Sequence, residues 1–569
     1  MKPENFKRIL FAISLAAAFS LFTCRAAAQE LPHTIEMVPM RDGVKLATDI
    51  YLPEGEGPWP AILVRTPYSR GAMRGIMKSC LEWGGYACVA QDVRGRFDSE
   101  GRAVVFTTET EDGYDTVEWI ASQKWSGGSV GTTGGSAMGI TQYAMLREPS
   151  PHLKCQFVEV AAPFLFSEVR AGGGFRLALV EGWLALSMFK AVNLVEYYSH
   201  ETLDDFWRNV DNLKAVGDVK IPIFHEAGWY DIFVEGGLKA FAELNERGGE
   251  GARGRQKMRI GPWTHMTFNK AEQAELTFPP SVKEQTSDPK AWFEWCLKGE
   301  DTGVEEWPEV RFYMMGDVDD PAAPGNAWKT TDKWPPKSDA TKFYLHKSGE
   351  ISNNKSESED AAVDAAFDPR HPVPTRGGRN LIIPAGPYDQ NAIGAAIGGR
   401  ADVLTFQTAP LEEPVEIAGE VLVNLFVSAD VPDTDITAKL MDVYPDGRAM
   451  LLLQGVQRMK YRNSQSAPEP MTPGEVYEIT FSIGNTAIAF NRGHRIRVDV
   501  SGSNFPFYDV NSNTGEQRKV TLASAQRRLN MARVHKWVGI GKGDKSQLAN
   551  VKIYLSGDRP SGVVLPVVE

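Results

Sequence analysis

Short apolar runs recur along the first part of the chain and predict buried strands. They are almost uninterrupted, as in strands covered on both faces of a sheet, and they span 59–65, 86–91, 157–162, 221–228, 258–261 and 310–315. Apolar residues at helical spacing lie between them, most clearly at 73–83 and 112–122. An earlier segment, 34–51, contains the alternation of apolar and polar residues that antiparallel strands show. Strands that alternate with helices predict an α/β fold with a mainly parallel sheet.

Residues 166–215 interrupt this pattern with a helical, apolar stretch that is rich in Trp, Phe, Leu and Ala. We interpret the stretch as a helical cap inserted into an α/β core whose two parts span 29–165 and 216–336. A cap of this kind is a common place for a substrate pocket. Aromatic residues such as Trp183 either fill the interior of the cap or contact a ligand, and the pattern favours the interior.

The pattern changes again near residue 337, and the segment 337–569 is predicted to form a C-terminal β-sandwich domain. We expect no helical period beyond this point. Apolar and polar residues alternate instead, as over 477–483 and 495–500, and turns such as Pro445-Asp446-Gly447 separate the strands. The polar stretch 348–364 indicates a solvated loop.

The length and charge of the chain indicate how many domains it has and which partners it does not bind. The chain has 569 residues, too many for one core, so we expect two or three domains. Its net charge is −12 and its pI is near 5.5. Because no basic run accompanies this acidity, we expect no nucleic-acid partner. The sequence does not decide whether the chain assembles into a homo-oligomer.

The N-terminus carries the pattern of a secretion signal. A basic start precedes an apolar stretch over 9–22, and Ala26-Ala27-Ala28 forms an A-x-A cleavage site, so residues 1–28 are predicted to be a signal peptide. Cleavage after Ala28 implies a periplasmic or secreted protein. The alternative is a lipoprotein anchored at Cys24, which Thr23 disfavours because a smaller residue is usual there. We expect no membrane span elsewhere.

Four cysteines remain after this cleavage, at positions 80, 88, 155 and 296. They form no CxxC motif and no His/Cys cluster with the spacing of a zinc site. We therefore expect buried free thiols and no metal.

The segment Gly131–Gly139 has the composition of a sharp turn between a strand and a helix, with Ser136 at its apex. Glycines flank the serine, as in a turn where backbone segments approach too closely for side chains. Such a nucleophile elbow raises the serine hydroxyl above the edge of a sheet. The simpler alternative is a Gly/Ser loop without a chemical role, and other parts of the chain must decide between the two.

A nucleophilic serine needs a histidine base, and that histidine needs an acid that orients it. Asp231 and His265 follow the predicted strands at 221–226 and 258–261, in the order Ser, Asp, His that α/β-hydrolases use. His225 lies within a strand and is interpreted as structural. Asp92 also follows a strand, but it precedes the elbow, and we expect it to pair with neighbouring arginines.

Several separated motifs resemble the cocaine esterase/X-Pro dipeptidyl-peptidase (S15) group. They are the elbow, the segment 92–101, Gly228-Trp229-Tyr230-Asp231, Gly261-Pro262-Trp263-Thr264-His265, and in the second half 432–435, 442–448, 493–496 and 503–506. The resemblance covers nearly the whole mature chain. It implies an α/β-hydrolase core with an inserted helical cap, followed by a C-terminal jelly-roll β-sandwich domain.

The resemblance also implies roles for single residues. Ser136, Asp231 and His265 would be the catalytic triad. The oxyanion hole would consist of the Ala137 N–H and the Tyr68 hydroxyl, although a tyrosine after Pro67 can also be an ordinary turn residue.

This chain departs from the group at the elbow and after the acid. Ala137 stands where the group usually has an aromatic residue. Phe233 and Val234 stand where α-amino-acid ester hydrolases of the group carry acids. A cationic α-amino substrate is therefore disfavoured, and Phe233 and Trp183 are the candidates for the substrate pocket.

The expected function is that of a secreted serine hydrolase which cleaves carboxylic esters through an acyl-enzyme and needs no cofactor. The expected substrate is a small acyl ester or amide. An acylase, an X-Pro-type peptidase or an amino-acid ester hydrolase is the first alternative. A catalytically silent binding protein on the same scaffold is the second.

Overall fold

A computed structural model describes residues 31–284, 287–392, 400–541 and 544–568. The predicted signal peptide over 1–28 and the alternative lipidation site at Cys24 lie outside the described residues. The strands of the first part of the chain are β1 (Thr34–Pro39), β2 (Lys45–Tyr51), β3 (Trp59–Thr66), β4 (Ala87–Asp92), β5 (Ser126–Gly135), β6 (Leu153–Glu159), β7 (Ile223–Tyr230), β8 (Lys257–Thr264), β9 (Glu272–Gln273), β10 (Leu276–Thr277), β11 (Val310–Met314) and β12 (Ala327–Thr331).

The helices lie mostly between these strands. They are α1 (Arg74–Glu82), α2 (Glu109–Ser122), α3 (Ala137–Ala144), α4 (Leu165–Val169), α5 (Leu177–Leu186), α6 (Ala191–Ser199), α7 (Asp205–Arg208), α8 (Val234–Arg247), α9 (Pro289–Phe293) and α10 (Leu522–Ala532). A π-helical turn, Glu294–Lys298, continues α9. In the part of the chain that the structure describes, no helix is both long and apolar enough to cross a bilayer.

Among the described residues, ten strands form one sheet in the order β1-β2-β4-β3-β5-β6-β7-β8-β11-β12. The strands from β4 to β11 in this order run parallel to one another, whereas β2 and β12 pair with them in the antiparallel sense. The alternation of strands and helices correctly predicts an α/β fold with a mainly parallel sheet, and the fold is the α/β-hydrolase type that the family resemblance implies. Because parallel strands end at one edge, the residues that follow β5, β7 and β8 all lie at that edge.

Helices α4 to α7 form the cap between β6 and β7. The cap shares an apolar cluster with the tenth helix, α10, which comes from the far end of the chain. Ala525, Leu529 and Ala532 of α10 are fully buried in that cluster, together with Leu184 of the cap. The expectation of no helical period beyond residue 337 is therefore wrong, and the 3- and 4-residue spacing of these apolar positions is the signal that marks the helix.

The C-terminal part is a sandwich of two antiparallel sheets. Its strands are β13 (Ser338–Leu345), β14 (Ile351–Ser352), β15 (Ala362–Phe367), β16 (Val403–Gln407), β17 (Val415–Ala429), β18 (Asp435–Val443), β19 (Ala449–Arg458), β20 (Tyr477–Phe490), β21 (Arg495–Ser501), β22 (Ala549–Tyr554) and β23 (Gly562–Val568). Among the described residues, seven strands form one sheet and four (β16, β21, β18 and β19) form the other. The stretch 348–364 is only partly a loop, because it contains β14 and the start of β15.

The sandwich and the α/β core are joined by one continuous apolar cluster. Ile260 of β8 and Phe312 of β11 belong to the same cluster as Val423 of β17 and Leu440 of β18. The sandwich is thus packed against the core through buried side chains.

The four cysteines of the described residues carry free thiols. Cys80, Cys88 and Cys155 are buried, and Cys296 is half-buried. Within the described ranges, no group of three or more His, Cys, Asp or Glu side chains is arranged to hold a metal ion.

Candidate active site

Ser136 lies in the turn that joins β5 to α3, and its backbone is in an unusual conformation. Its φ is 60° and its ψ is −127°, a region that costs a non-glycine residue of order 1–3 kcal/mol. Gly139 allows this turn to pack, since a Cβ there would lie 2.5 Å from the Cβ of Ala161 and 3.1 Å from Val158 Cγ1. The Ser136 N–H donates to the carbonyl of Glu159 at 3.0 Å, which holds the turn against the end of β6.

Ser136, His265 and Asp231 form one hydrogen-bonded chain. The Ser136 hydroxyl lies 2.9 Å from Nε2 of His265, and Nδ1 of His265 lies 2.5 Å from Oδ2 of Asp231. Asp231 follows β7 directly and is fully buried, and its second oxygen accepts the N–H of Phe233 at 2.7 Å. A buried carboxylate on one ring nitrogen favours the tautomer in which the other nitrogen accepts the serine proton.

Tyr68 and Ala137 are both neighbours of this serine. Tyr68 comes from the loop after β3, and its hydroxyl is within hydrogen-bonding reach of the Ser136 hydroxyl. Burial raises the pKa of Tyr68, so the hydroxyl keeps its proton at neutral pH. Ala137 begins α3, where the first backbone N–H groups have no partner within the helix and can point toward a developing anion.

Trp183 of the cap donates its indole N–H to the Tyr68 hydroxyl at 2.7 Å. The contact joins two residues that are 115 positions apart, and the sequence carries no local signal for it. Trp183 also borders the apolar cavity beside Ser136.

A small apolar cavity, about 50 Å³ in volume, opens beside Ser136. It lies between the elbow, the cap and one residue of the C-terminal part, and its walls include Phe106, Ala137, Ile140, Leu165, Leu179, Trp183, Phe233 and Leu381. Both predicted pocket residues, Phe233 and Trp183, thus border it. The Phe233 ring also packs edge-on against the His265 ring, with 5.8 Å between the centroids.

The cavity contains one acid that the sequence analysis missed. Glu168 of α4 is 4% exposed, and burial raises the pKa of its carboxyl to about 7. Nη1 of Arg176 lies 3.1 Å from one carboxyl oxygen, whereas the other oxygen, Oε1, has no hydrogen-bond partner. No motif marks this position, because its place at the cavity depends on how the cap folds back over the elbow.

Two of the rejected candidates occupy structural positions. His225 is 1% exposed, and its Nδ1 accepts a hydrogen bond from the Tyr143 hydroxyl at 2.7 Å. Asp92 forms the expected structural ion pair, but its partner at 2.6 Å is Arg70 and not one of the arginines that follow it in sequence. Arg94 binds the carboxylate of Asp112, and Arg96 donates to the carbonyls of Pro67 and Ser187.

Comparison with known proteins matches two families in succession. Residues 42–194 and 190–267 match the X-Pro dipeptidyl-peptidase (S15) family, and residues 302–549 match the X-Pro dipeptidyl-peptidase C-terminal non-catalytic domain.

One curated relative is a cocaine esterase from Rhodococcus sp. (strain MB1 Bresler). It is 33% identical over 547 residues, which cover 84% of this chain and 92% of that protein.

Two solved structures resemble the whole fold. An aminopeptidase from a marine sediment Thaumarchaeota archaeon has a TM-score of 0.78 and 23% identity, over 95% of this chain and 96% of that one. An α-amino acid ester hydrolase has a TM-score of 0.76 and 25% identity, over 94% of this chain and 96% of that one.

Proposed function

The chain belongs to the X-Pro dipeptidyl-peptidase (S15) family of serine hydrolases, and from that premise we propose that it hydrolyses carboxylic esters through an acyl-enzyme on Ser136. The observation that carries the proposal is the hydrogen-bonded chain from Ser136 through His265 to Asp231. A serine hydroxyl on a strained turn, with a base at 2.9 Å, is arranged for attack on a carbonyl carbon.

In the proposed mechanism, His265 takes the Ser136 proton as the hydroxyl attacks and then donates it to the leaving alcohol. Asp231 stabilises the imidazolium that forms in between. The Ala137 N–H and the Tyr68 hydroxyl stabilise the negative oxygen of the tetrahedral intermediate, each contributing about 3 kcal/mol to the transition state. Water, activated by His265, then releases the acid and restores the serine.

The cavity supports an ester whose acyl group is apolar and compact. Its walls are aromatic and aliphatic side chains, and the aromatic residue that the group usually places after the serine is replaced by Ala137. The relative from Rhodococcus is named for an ester substrate, which agrees with this class. We propose this substrate class for the same pocket.

A second candidate function is cleavage of amides or of α-amino esters. Glu168 favours it, because this residue lines the cavity and one of its carboxyl oxygens has no hydrogen-bond partner, so its carboxylate could pair with a substrate ammonium. Two features oppose it. Arg176 neutralises part of the charge, and Phe233 and Val234 supply no further acid after Asp231.

The test is hydrolysis of a panel of p-nitrophenyl esters beside the matching anilides, with the mature protein and Ser136→Ala. We expect ester turnover that the substitution abolishes, with anilides left uncleaved. Comparable cleavage of anilides, especially of those with a free α-amino group, would assign the second function instead. Turnover that survives Ser136→Ala would refute the mechanism.

Labelling by a fluorophosphonate probe separates an enzyme from a silent binding protein. We expect covalent labelling of the wild type and none of Ser136→Ala. An unlabelled wild type would mean that the serine is not activated.

A further inference from the structure

Trp183 is a cap residue whose polar atom faces the catalytic edge of the sheet. Its indole Nε1 donates to the Tyr68 hydroxyl at 2.7 Å, and the two rings meet edge to face with centroids 6.5 Å apart. An indole N–H is a donor only, so the tyrosine oxygen must be the acceptor in this bond.

That bond restricts where the Tyr68 proton can point. A phenol has one proton, and the side of its oxygen that faces Trp183 is occupied by the indole N–H. The proton is therefore directed away from Trp183 and is available to another acceptor, such as the negative oxygen of the tetrahedral intermediate. An accepted hydrogen bond also makes the phenol a stronger donor, because bonded polar groups polarise one another. In agreement, the Trp183 bond lowers the pKa of Tyr68, against the larger opposite effect of burial.

Trp183 is itself held in place by aromatic neighbours. The Phe106 ring stacks on it at 5.7 Å, and the Phe189 ring packs against it at 5.0 Å. Because the indole cannot turn freely between these rings, its N–H keeps a fixed direction.

Arg96 links the same two parts of the fold a second time. Its guanidinium donates to the Pro67 carbonyl at 3.0 Å and to the Ser187 carbonyl at 2.7 Å. It also lies over the Phe189 ring at 4.3 Å. The loop that carries Tyr68 and the end of helix α5 are therefore held at one separation by a single side chain.

We propose that Trp183 is a positioning residue which orients and strengthens the Tyr68 donor, so that the cap completes the oxyanion hole. The inference rests on the proposed ester hydrolysis, and it adds to that function a role for the cap beyond that of a pocket wall. It follows that a cap displaced from the core leaves Tyr68 with an undirected proton, and catalysis at Ser136 is then slow even when the triad is intact.

The test is a double-mutant cycle with Trp183→Phe and Tyr68→Phe, measured on one p-nitrophenyl ester. The first substitution keeps an aromatic ring and removes the N–H. We expect it to lower kcat about 10-fold with KM changed less than 3-fold, since the bond acts in the transition state. Tyr68→Phe is expected to lower kcat about 100-fold or more. In the double variant, loss of the indole N–H should lower kcat no further than Tyr68→Phe alone does.

Leu179→Ala is the matched control for a change in the cavity wall. Leu179 borders the same cavity, so its truncation should change KM. It should also change kcat/KM by the same factor whether the Tyr68 hydroxyl is present or absent. If Trp183→Phe behaves in that way, with effects that multiply with those of Tyr68→Phe, the inference is overturned.

A second variant separates the loss of the N–H from a loss of packing by the bicyclic ring. It carries β-(3-benzothienyl)alanine at position 183, which keeps the bicyclic shape and lacks the N–H. The same 10-fold fall in kcat supports the inference, and an unchanged kcat overturns it. If the wild-type turnover survives Ser136→Ala, the proposed function fails and the inference fails with it. If turnover depends on Ser136 and the cycle is additive, only the inference fails.

Discussion

The buried histidine of β7, His225, should make the protein sensitive to acid. Its Nδ1 accepts the Tyr143 hydroxyl at 2.7 Å, its Nε2 lies 3.3 Å from Gln256 Oε1, and the Phe241 ring packs edge-on at 6.1 Å. Burial lowers its pKa from 6.5 to about 4. A proton added at Nδ1 would also remove the acceptor of Tyr143. The folded protein therefore keeps this ring neutral, whereas the unfolded chain protonates it.

The sign and size of the effect follow from these two pKa values. Below pH 6.5 the unfolded state binds a proton that the folded state does not bind until about pH 4, so the free energy of unfolding falls as the pH falls. The slope approaches 1.4 kcal/mol per pH unit, and the loss between pH 7.5 and 5 is about 2 kcal/mol.

Urea unfolding at pH 7.5, 6 and 5 measures this loss, with His225→Gln as the reference. The variant lacks the imidazole, while all other titrating groups are shared, so the difference between the two proteins isolates His225. We expect the wild type to lose about 2 kcal/mol more than the variant over this range. A parallel decline of the two proteins would refute the argument that His225 is held neutral.

Two further substitutions test the elbow and the acid. Gly139→Ala should lower the free energy of unfolding by about 1–3 kcal/mol, because the new methyl group meets the Ala161 Cβ at 2.5 Å; an unchanged urea midpoint would contradict this packing. Asp231→Asn should lower kcat by roughly 10³- to 10⁴-fold while the urea midpoint changes little, since the amide favours the wrong His265 tautomer; a loss below 10-fold in steady-state ester hydrolysis would place the orienting acid elsewhere.

The part of the site that the sequence predicts consists of residues that directly follow strands. Ser136, Asp231 and His265 follow β5, β7 and β8, and the ends of parallel strands share one edge. Apolar runs locate β7 and β8 to within a few residues, whereas β5 is rich in glycine and is marked by the elbow pattern at its end. The chain order and the edge together suffice to nominate three side chains that the structure brings within hydrogen-bonding distance.

The part that the sequence does not predict depends on how the cap lies over the core. Glu168 reaches the cavity, and Trp183 reaches Tyr68, through contacts between segments that are far apart in the chain. No periodicity records such a contact, because periodicity describes only which face of one element is buried. Helix α10 is a different case. Its apolar spacing is visible, but small alanines at two of the three buried apolar positions make the pattern weak in a region of strands.

Helix α10 also bears on the order in which the protein can be made. Synthesis runs from the N-terminus, so helices α5 and α6 leave the ribosome long before the residues 522–532 that cover their apolar face. Until then the apolar cluster that contains Leu184 and Tyr198 lacks Leu529, and the Glu181 carboxylate has no Arg528 partner. The nascent chain therefore exposes an apolar surface of the kind that holdase chaperones bind. A chain terminated before residue 522 would remain in that state, so a fully packed cap requires the synthesis of helix α10.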